Sequence, residues 1–202
     1  MRYTPASVSL ATALAAALIL SAGAASADEI DDRVRAQFLQ TTPELCFDAQ
    51  AAEPDIYNLT YRDAYDGAPE QALRLYRFFC FSGAYNVVHV YFTYTDFVGV
   101  QQVFFAVPDF ETRCTAGGPD PLDCKATTIT TLGMTTVGEL VNSAFDPATR
   151  TVESRSCWRG LCDASDHGVW VFAGGRFVLK SYEVDATYDG AVNPERIADF
   201  TR

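Results

Sequence analysis

The sequence predicts a mainly β fold, with antiparallel sheets in a sandwich or open barrel of meander-like hairpins, a short N-terminal helix and disulfide bracing. Residues 72–107 contain three runs of β-branched and aromatic residues, which suit a pleated sheet and would crowd a helix. Gly174-Gly175 joins two further alternating runs, as a two-residue hairpin turn requires. The six cysteines are even in number, as expected of a disulfide framework.

The first 27 residues have the features of a secretory signal peptide. Arg2 precedes an apolar run of about 13 residues, which is shorter than the roughly 20 needed to cross a bilayer. Ala25-Ser26-Ala27 then fits a cleavage site. We therefore expect cleavage after Ala27, and a single β-rich domain over residues 28–202 that is periplasmic or secreted and is not inserted in a membrane.

The chain is acidic, with a formal net charge of −11 that becomes −12 once the leader and its Arg2 are removed. Such a surface repels phosphates and anionic lipid, and no cluster of Lys and Arg overrides that repulsion. Nucleic acid is therefore not an expected partner, whereas a cationic envelope protein or a neutral sugar is. The alternative is that the charge serves only solubility.

In an exported protein, six cysteines predict three disulfides, although they allow 15 pairings. Short loops favour two local bonds and leave one longer one: Cys114 with Cys124, Cys157 with Cys162, and Cys46 with Cys80. The rival interpretation is a zinc site. No pair of cysteines has the Cys-x₂-Cys spacing, and His89 and His167 are not spaced as ligands, so no metal is predicted.

Residues 28–40 predict an amphipathic helix, because Ile30, Val34 and Phe38 recur every four residues behind an acidic first turn. A type I turn is predicted at residues 146–149, from Asp and Pro at its first two positions. Residues 110–125 predict a disulfide-closed loop, and the tail from Asn193 a single helical turn. Strands are predicted at residues 56–61, 72–81, 86–97, 98–107, 127–132, 139–145, 151–156, 169–173 and 176–184.

The first long strand is apolar on both faces. Alternation places one set of side chains on one face, Leu73, Leu75, Phe79 and Phe81, and another on the opposite face, Tyr76, Phe78 and Cys80. Such a strand needs cover on both sides, or else it displays aromatic rings to a ligand. Burial is the preferred prediction.

Three motifs together resemble one family. Residues 80–86 resemble C-x-x-G-A-Y-N, residues 140–149 resemble L-x-N-x-x-F-D-P-x-T with Arg159-Gly160 after it, and residues 170–179 resemble a W-V-W-D-G-x-x-F-x-L hairpin. In this order they are similar to the exported bacterial domain of unknown function 1176, over residues 72–179. The chain departs from that pattern at Ala173 and at the added Cys157, which favours a local bond to Cys162. The resemblance implies export and a β-rich domain, and brings no established activity.

Few catalytic patterns are present. There is no G-x-S-x-G elbow and no phosphate or dinucleotide motif, so no cofactor is predicted. A fully paired set of cysteines leaves no thiolate nucleophile. The weak catalytic candidates are His167, Asp166 and Asp163, although Asp-His-Gly is also ordinary turn chemistry.

Three functions follow from these observations. The first is a non-catalytic envelope binding or inhibitor-like protein, with Trp158 and Arg159 as the contact because Trp and Arg dominate interface energetics. In the alternative, Trp158 folds back on its own disulfide. The second is an envelope hydrolase that uses His167 with the nearby carboxylates. The third is a carbohydrate-binding domain, which needs rings such as Tyr91 or Tyr94 on the surface.

Overall fold

A computed structural model describes residues 26–42, 44, 46, 52–118 and 120–201. Strands make up 57% of it, in antiparallel sheets that do not close into a barrel, together with one short helix and three disulfides. The predicted fold class is therefore confirmed. The predicted signal peptide lies almost wholly outside the described residues, so it and the domain boundaries that depend on it stay predictions.

Helix α1 spans Ala27–Thr41 and confirms the predicted amphipathic helix. The Ser26 side chain accepts a hydrogen bond from the Glu29 amide at 3.3 Å, which caps the first turn. The predicted stripe of Ile30, Val34 and Phe38 is buried. The helix therefore packs against the rest of the domain through this apolar stripe.

Twelve strands follow within the described residues: β1 Asp55–Tyr61, β2 Gln71–Ser82, β3 Val87–Thr95, β4 Gly99–Gln102, β5 Phe105–Gly117, β6 Cys124–Val137, β7 Glu139–Val141, β8 Ala144–Asp146, β9 Thr151–Cys157, β10 Ser165–Ala173, β11 Arg176–Asp185 and β12 Glu195–Asp199. Sheet 1 has the order β1-β2-β3-β4, with β7 also paired to β3. Sheet 2 has the order β12-β11-β10-β9-β8, and β5 and β6 form a separate two-stranded ribbon.

Sheet 1 is covered on both faces, as predicted. Between it and α1 lies a helix-side core that contains Phe38, Tyr76, Phe78 and Phe92. Its other face packs on sheet 2 and the base of the ribbon in a sandwich core, which contains Leu73, Leu75, Tyr91, Phe105, Val107, Leu140, Val152, Trp170, Leu179 and Tyr182. The sequence placed Phe81 with Leu73, and this was wrong. A bulge between Phe79 and Phe81 turns Phe81 towards the helix-side core.

Three predicted segments differ from the structure because long-range strand pairing overrides local sequence. The run at residues 98–107 is two strands, since the chain leaves sheet 1 after β4 and enters the ribbon as β5. Most of the predicted loop at residues 110–125 is strand, with a 3-10 turn at Pro121–Asp123. The predicted helical turn in the tail is β12, which pairs with the edge of sheet 2 at β11.

The predicted strand at residues 139–145 is divided between the two sheets. Asn142 adopts φ 45°, a left-handed conformation that breaks the strand between β7 and β8. The chain passes there from sheet 1 to sheet 2.

All three disulfides join the cysteines that loop length favoured: Cys46 to Cys80, Cys114 to Cys124, and Cys157 to Cys162. The Gly174-Gly175 hairpin is also confirmed, with φ of 56° and 76°. Within the described ranges, no helix has the length and apolar character to cross a bilayer.

Replacing Phe38 with Ala should test whether α1 is part of the core. Phe38 is 1% exposed and stacks on Phe78 with ring centroids 4.2 Å apart, so we expect a loss of about 3–5 kcal/mol in the free energy of unfolding. Its neighbour Leu39 is 39% exposed, and Leu39→Ala should cost less than about 1 kcal/mol. Urea denaturation of both variants checks this, and equal losses would mean that the helix does not pack as described.

Candidate functional site

Two of the three motifs of the family resemblance meet where the two sheets join. Asn86 donates its side-chain amide to the Cys157 carbonyl at 2.8 Å and accepts from the Cys157 amide at 3.2 Å. Asn142 donates to the Asn86 side chain at 2.9 Å and to the Arg155 carbonyl at 3.0 Å, and accepts from the Val87 amide at 2.8 Å. These two side chains therefore join sheet 1 to β9 by hydrogen bonds and fix the start of the Cys157–Cys162 loop.

Arg159 lies in that loop and is held from within the molecule. Its guanidinium pairs with the buried Asp163 carboxylate and lies over the Tyr188 ring, 5.2 Å from the ring centroid. Asp163 also accepts a hydrogen bond from the Gly190 amide at 2.8 Å. The hydrogen bond from Arg159 is the main reason that the pKa of Asp163 lies well below its usual range.

Trp158 also turns inward. Its indole N–H donates to Asp166 at 2.8 Å, and the Tyr182 hydroxyl donates to the other oxygen of the same carboxylate at 2.8 Å. Burial and the adjacent Asp166 charge both raise the pKa of Tyr182, so its hydroxyl stays a donor. The loop instead exposes Leu161, which is 74% accessible, and its Trp158 carbonyl accepts a hydrogen bond from the half-exposed Tyr85 at 3.4 Å.

The Asp166 carboxylate forms part of a cleft of about 230 Å³ between the sheets. Trp170 and Tyr182 supply aromatic surface, and the exposed Glu139 also lines the cleft, from β7. The remaining lining residues are Val107, Val137, Leu140, Val141, Ser154 and Ser156. The Ser154 hydroxyl donates to the Val141 carbonyl at 2.8 Å and so ties β9 to β7 beside the cleft.

The described lining of the cleft is acidic and contains no compensating cation. None of the described residues that line it is Lys, Arg or His, and Glu139 has no ion-pair partner in the described part of the chain. Acidic residues in a lining that also has aromatic rings favour a positively charged guest. Because the volume is smaller than the ~300–1,000 Å³ of small-molecule pockets, it suits a single side chain.

The three catalytic candidates do not meet. Successive strand residues point to opposite faces, so Asp166 faces the cleft while His167 lies on the outer face of sheet 2. There the His167 ring lies 3.7 Å from Glu153 and 3.9 Å from Glu183. Asp163 is engaged by Arg159. The structure therefore assembles no acid-base site from His167, Asp166 and Asp163.

A Ser-His contact that sequence reasoning missed lies inside the sandwich. The Tyr91 hydroxyl donates to Ser143 Oγ at 2.9 Å, and Ser143 Oγ lies 3.2 Å from His89 Nδ1. Burial, aided by Arg77, lowers the pKa of His89 to about 4. Ser143 is 2% exposed, so a substrate could not reach its hydroxyl and the cluster is structural. No local signal marks it, since Ser143 and His89 are 54 residues apart in different parts of the chain.

The rings on which sugar binding would depend are buried. Tyr91 belongs to the sandwich core and Tyr94 to the helix-side core. Neither ring can stack on a sugar in solvent. The carbohydrate-binding hypothesis therefore cannot rest on Tyr91 or Tyr94. Among the residues that the structure describes, no group of His, Cys, Asp and Glu could hold a metal ion.

Replacing Asn86 with Ala should destabilise the junction of the two sheets. The change leaves the Cys157 amide and carbonyl and the Asn142 amide without this partner, so we expect a loss of about 2–3 kcal/mol in unfolding free energy. Asn58→Ala, on the exposed edge strand β1, should cost less than about 0.5 kcal/mol. Denaturant titration distinguishes the two variants. An Asn86→Ala protein with an unchanged free energy of unfolding would contradict the role given to these hydrogen bonds.

His89 should make stability fall in mild acid. Below the ordinary His pKa of about 6.5 the unfolded chain takes up a proton that the folded protein does not accept until about pH 4. Stability attributable to this ring is therefore present above pH 6.5 and declines towards pH 4, by at most about 3 kcal/mol and by less because the ring is partly exposed. Denaturation at pH 7 and pH 5 should show a smaller change in His89→Asn than in the wild type or in His167→Asn. If stability falls as much between pH 7 and pH 5 in His89→Asn as in the wild type, this assignment is wrong.

Comparison with known proteins gives a family. No curated protein and no solved structure matches the chain. The model of the family described as protein of unknown function (DUF1176) matches residues 7–195, which is most of the chain and extends beyond the motifs that indicated it. The motif residues Asn86, Asn142 and Arg159 all have partners within the fold. The chain belongs to the DUF1176 family.

Proposed function

We propose that this chain is an exported, non-catalytic binding protein whose cleft receives a Lys or Arg side chain of a cationic envelope protein, which it inhibits where that side chain is functional. The observation that carries the proposal is that two acidic residues, Glu139 and Asp166, line one cleft beside Trp170 with no cation among the described lining residues. A guanidinium or ammonium group supplies both the missing charge and a contact with the aromatic ring.

The charge of the whole chain supports the same class of partner. A formal net charge of −11 attracts a cationic protein from solution and speeds its encounter with the cleft. The attraction is screened by salt, because the Debye length falls to about 8 Å at physiological ionic strength. Binding should therefore weaken as salt rises.

The walls of the cleft are held in place before any ligand arrives. Asp166 receives hydrogen bonds from Trp158 and Tyr182, while Ser154 joins β9 to β7. A site that is already ordered loses less conformational entropy on binding. The three disulfides suit a protein that works in an oxidising compartment, either periplasmic or secreted.

The two tryptophans of the chain give a direct measurement, because Trp170 lines the cleft and Trp158 bonds to Asp166. Three short peptides serve as probes: one rich in lysine, one rich in arginine, and one with every lysine acetylated. We expect the two cationic peptides to change the tryptophan fluorescence saturably at low salt, and the acetylated peptide to have no effect. A small basic protein such as lysozyme serves as a folded probe.

Glu139→Gln should weaken this binding roughly tenfold or more, since a hydrogen bond to a charged group contributes about 1.5–3 kcal/mol. The matched control is Glu70→Gln, which removes the same charge from an exposed position away from the cleft. It should reduce affinity only slightly, through net charge. Equal effects of the two changes, or no saturable binding of either cationic peptide, would count against the cleft as the site.

A further inference from the structure

The two strands of the β5–β6 ribbon protect their outer edges very differently. β5 carries Pro108, Asp109, Glu111 and Arg113, the proline and charges that keep an edge strand from pairing with another chain. β6 has none of these between Lys125 and Glu139, where residues 126–138 read ATTITTLGMTTVG. An uncharged, threonine-rich edge of this length is an open template for strand addition.

No described strand covers that edge. β6 pairs with β5 alone, while β5 lies against β11 of sheet 2. Thr128, Thr130 and Thr131 are exposed, and Thr128 and Thr130 share the outer face of the ribbon with Glu111 and Arg113. Over residues 127–131, the described part of the chain therefore leaves the backbone of β6 free for hydrogen bonding on the side away from β5.

The regular part of β6 is symmetric in sequence. Bulges interrupt its pairing near Lys125 and Leu132, and between them residues 127–131 pair one for one with residues 110–114. These five residues read Thr-Thr-Ile-Thr-Thr, a palindrome about Ile129. An antiparallel pair of identical strands related by a two-fold axis at Ile129 therefore places Thr128 opposite Thr130, and Thr127 opposite Thr131.

Such pairing is chemically favourable. Thr-Thr cross-strand pairs stabilise antiparallel sheets, and no like charges meet, because Arg113 and Glu111 lie one strand further out beside Thr128 and Thr130. A two-fold axis also closes the assembly at two copies on this edge.

We propose that two copies of this chain pair antiparallel through residues 127–131 of β6, with the two-fold axis at Ile129, to form a four-stranded sheet across the dimer. A second copy of the chain is the partner at this edge because the palindromic segment pairs in register with an identical segment. Five paired residues from each copy bury less than a standard interface, so the dimer should form in a concentration-dependent manner.

Charge swapping at two positions tests both the edge and the register. Thr128→Lys/Thr130→Lys places lysines opposite each other across the two-fold axis, and Thr128→Glu/Thr130→Glu does the same with glutamates. Each pair of changes creates one favourable and one unfavourable neighbour within the ribbon, at Arg113 and Glu111. The two variants therefore disturb the monomer equally.

Sedimentation equilibrium of the mature, disulfide-intact protein over a range of concentrations gives the dimer dissociation constant. We expect the wild type to dimerise, each double variant to dimerise at least tenfold more weakly, and an equimolar mixture of the two to recover dimers, because every Lys then faces a Glu. Thr135→Lys, on the same strand outside the pairing register, should dimerise like the wild type. Near-UV circular dichroism confirms that the variants are folded.

Three results would overturn the proposal. These are a wild type that stays monomeric at every concentration, a mixture that does not recover dimers from two folded variants, and open-ended oligomers in place of a closed dimer. A cysteine pair adds a second measurement. Thr128→Cys mixed with Thr130→Cys should form a covalent dimer faster than either variant alone, and equal rates would contradict the register.

Discussion

The structure depends on the two apolar faces of the β2–β3 pair. Tyr76, Phe78 and Phe92 point to one side, and Leu73, Leu75 and Tyr91 point to the other, so neither face of sheet 1 can be left in water. Helix α1 covers the first face and sheet 2 the second. The Cys46–Cys80 disulfide lies within the helix-side core, where it ties the segment after α1 to the C-terminal end of β2.

The location of the cleft follows from where the chain changes sheets. Asn142, with its left-handed backbone, separates β7 in sheet 1 from β8 in sheet 2. Asn142 and Ser154 then hold β7 and β9 together at this side of the sandwich. The base of the ribbon contributes Val107 and Val137, and the space that remains between these elements is the cleft. The family motif around Asn142 thus lies where the chain changes sheets, beside the cleft.

Sequence could predict the parts of this fold that depend on near neighbours. The stripe of α1, the Gly174-Gly175 turn and the short disulfide loops involve residues a few positions apart. It failed where a distant partner decides, as at β12, which needs the edge of β11, and along β5, whose Gly and Pro neighbours resemble a loop until β6 pairs with it. The cleft could not be found this way, because Glu139 and Asp166 are 27 residues apart and only the packing of two sheets brings them together.

The partners of the titratable groups support the binding function proposed above. A general acid or base must exchange its proton with a substrate, and must therefore reach it. His89 is turned towards buried Ser143, Asp163 is paired with Arg159, and both oxygens of Asp166 accept hydrogen bonds from rings of the same molecule. Each group is thus used to hold the sandwich together. Glu139 differs, since it is exposed and has no ion-pair partner among the described residues, and the proposed ligand would supply one.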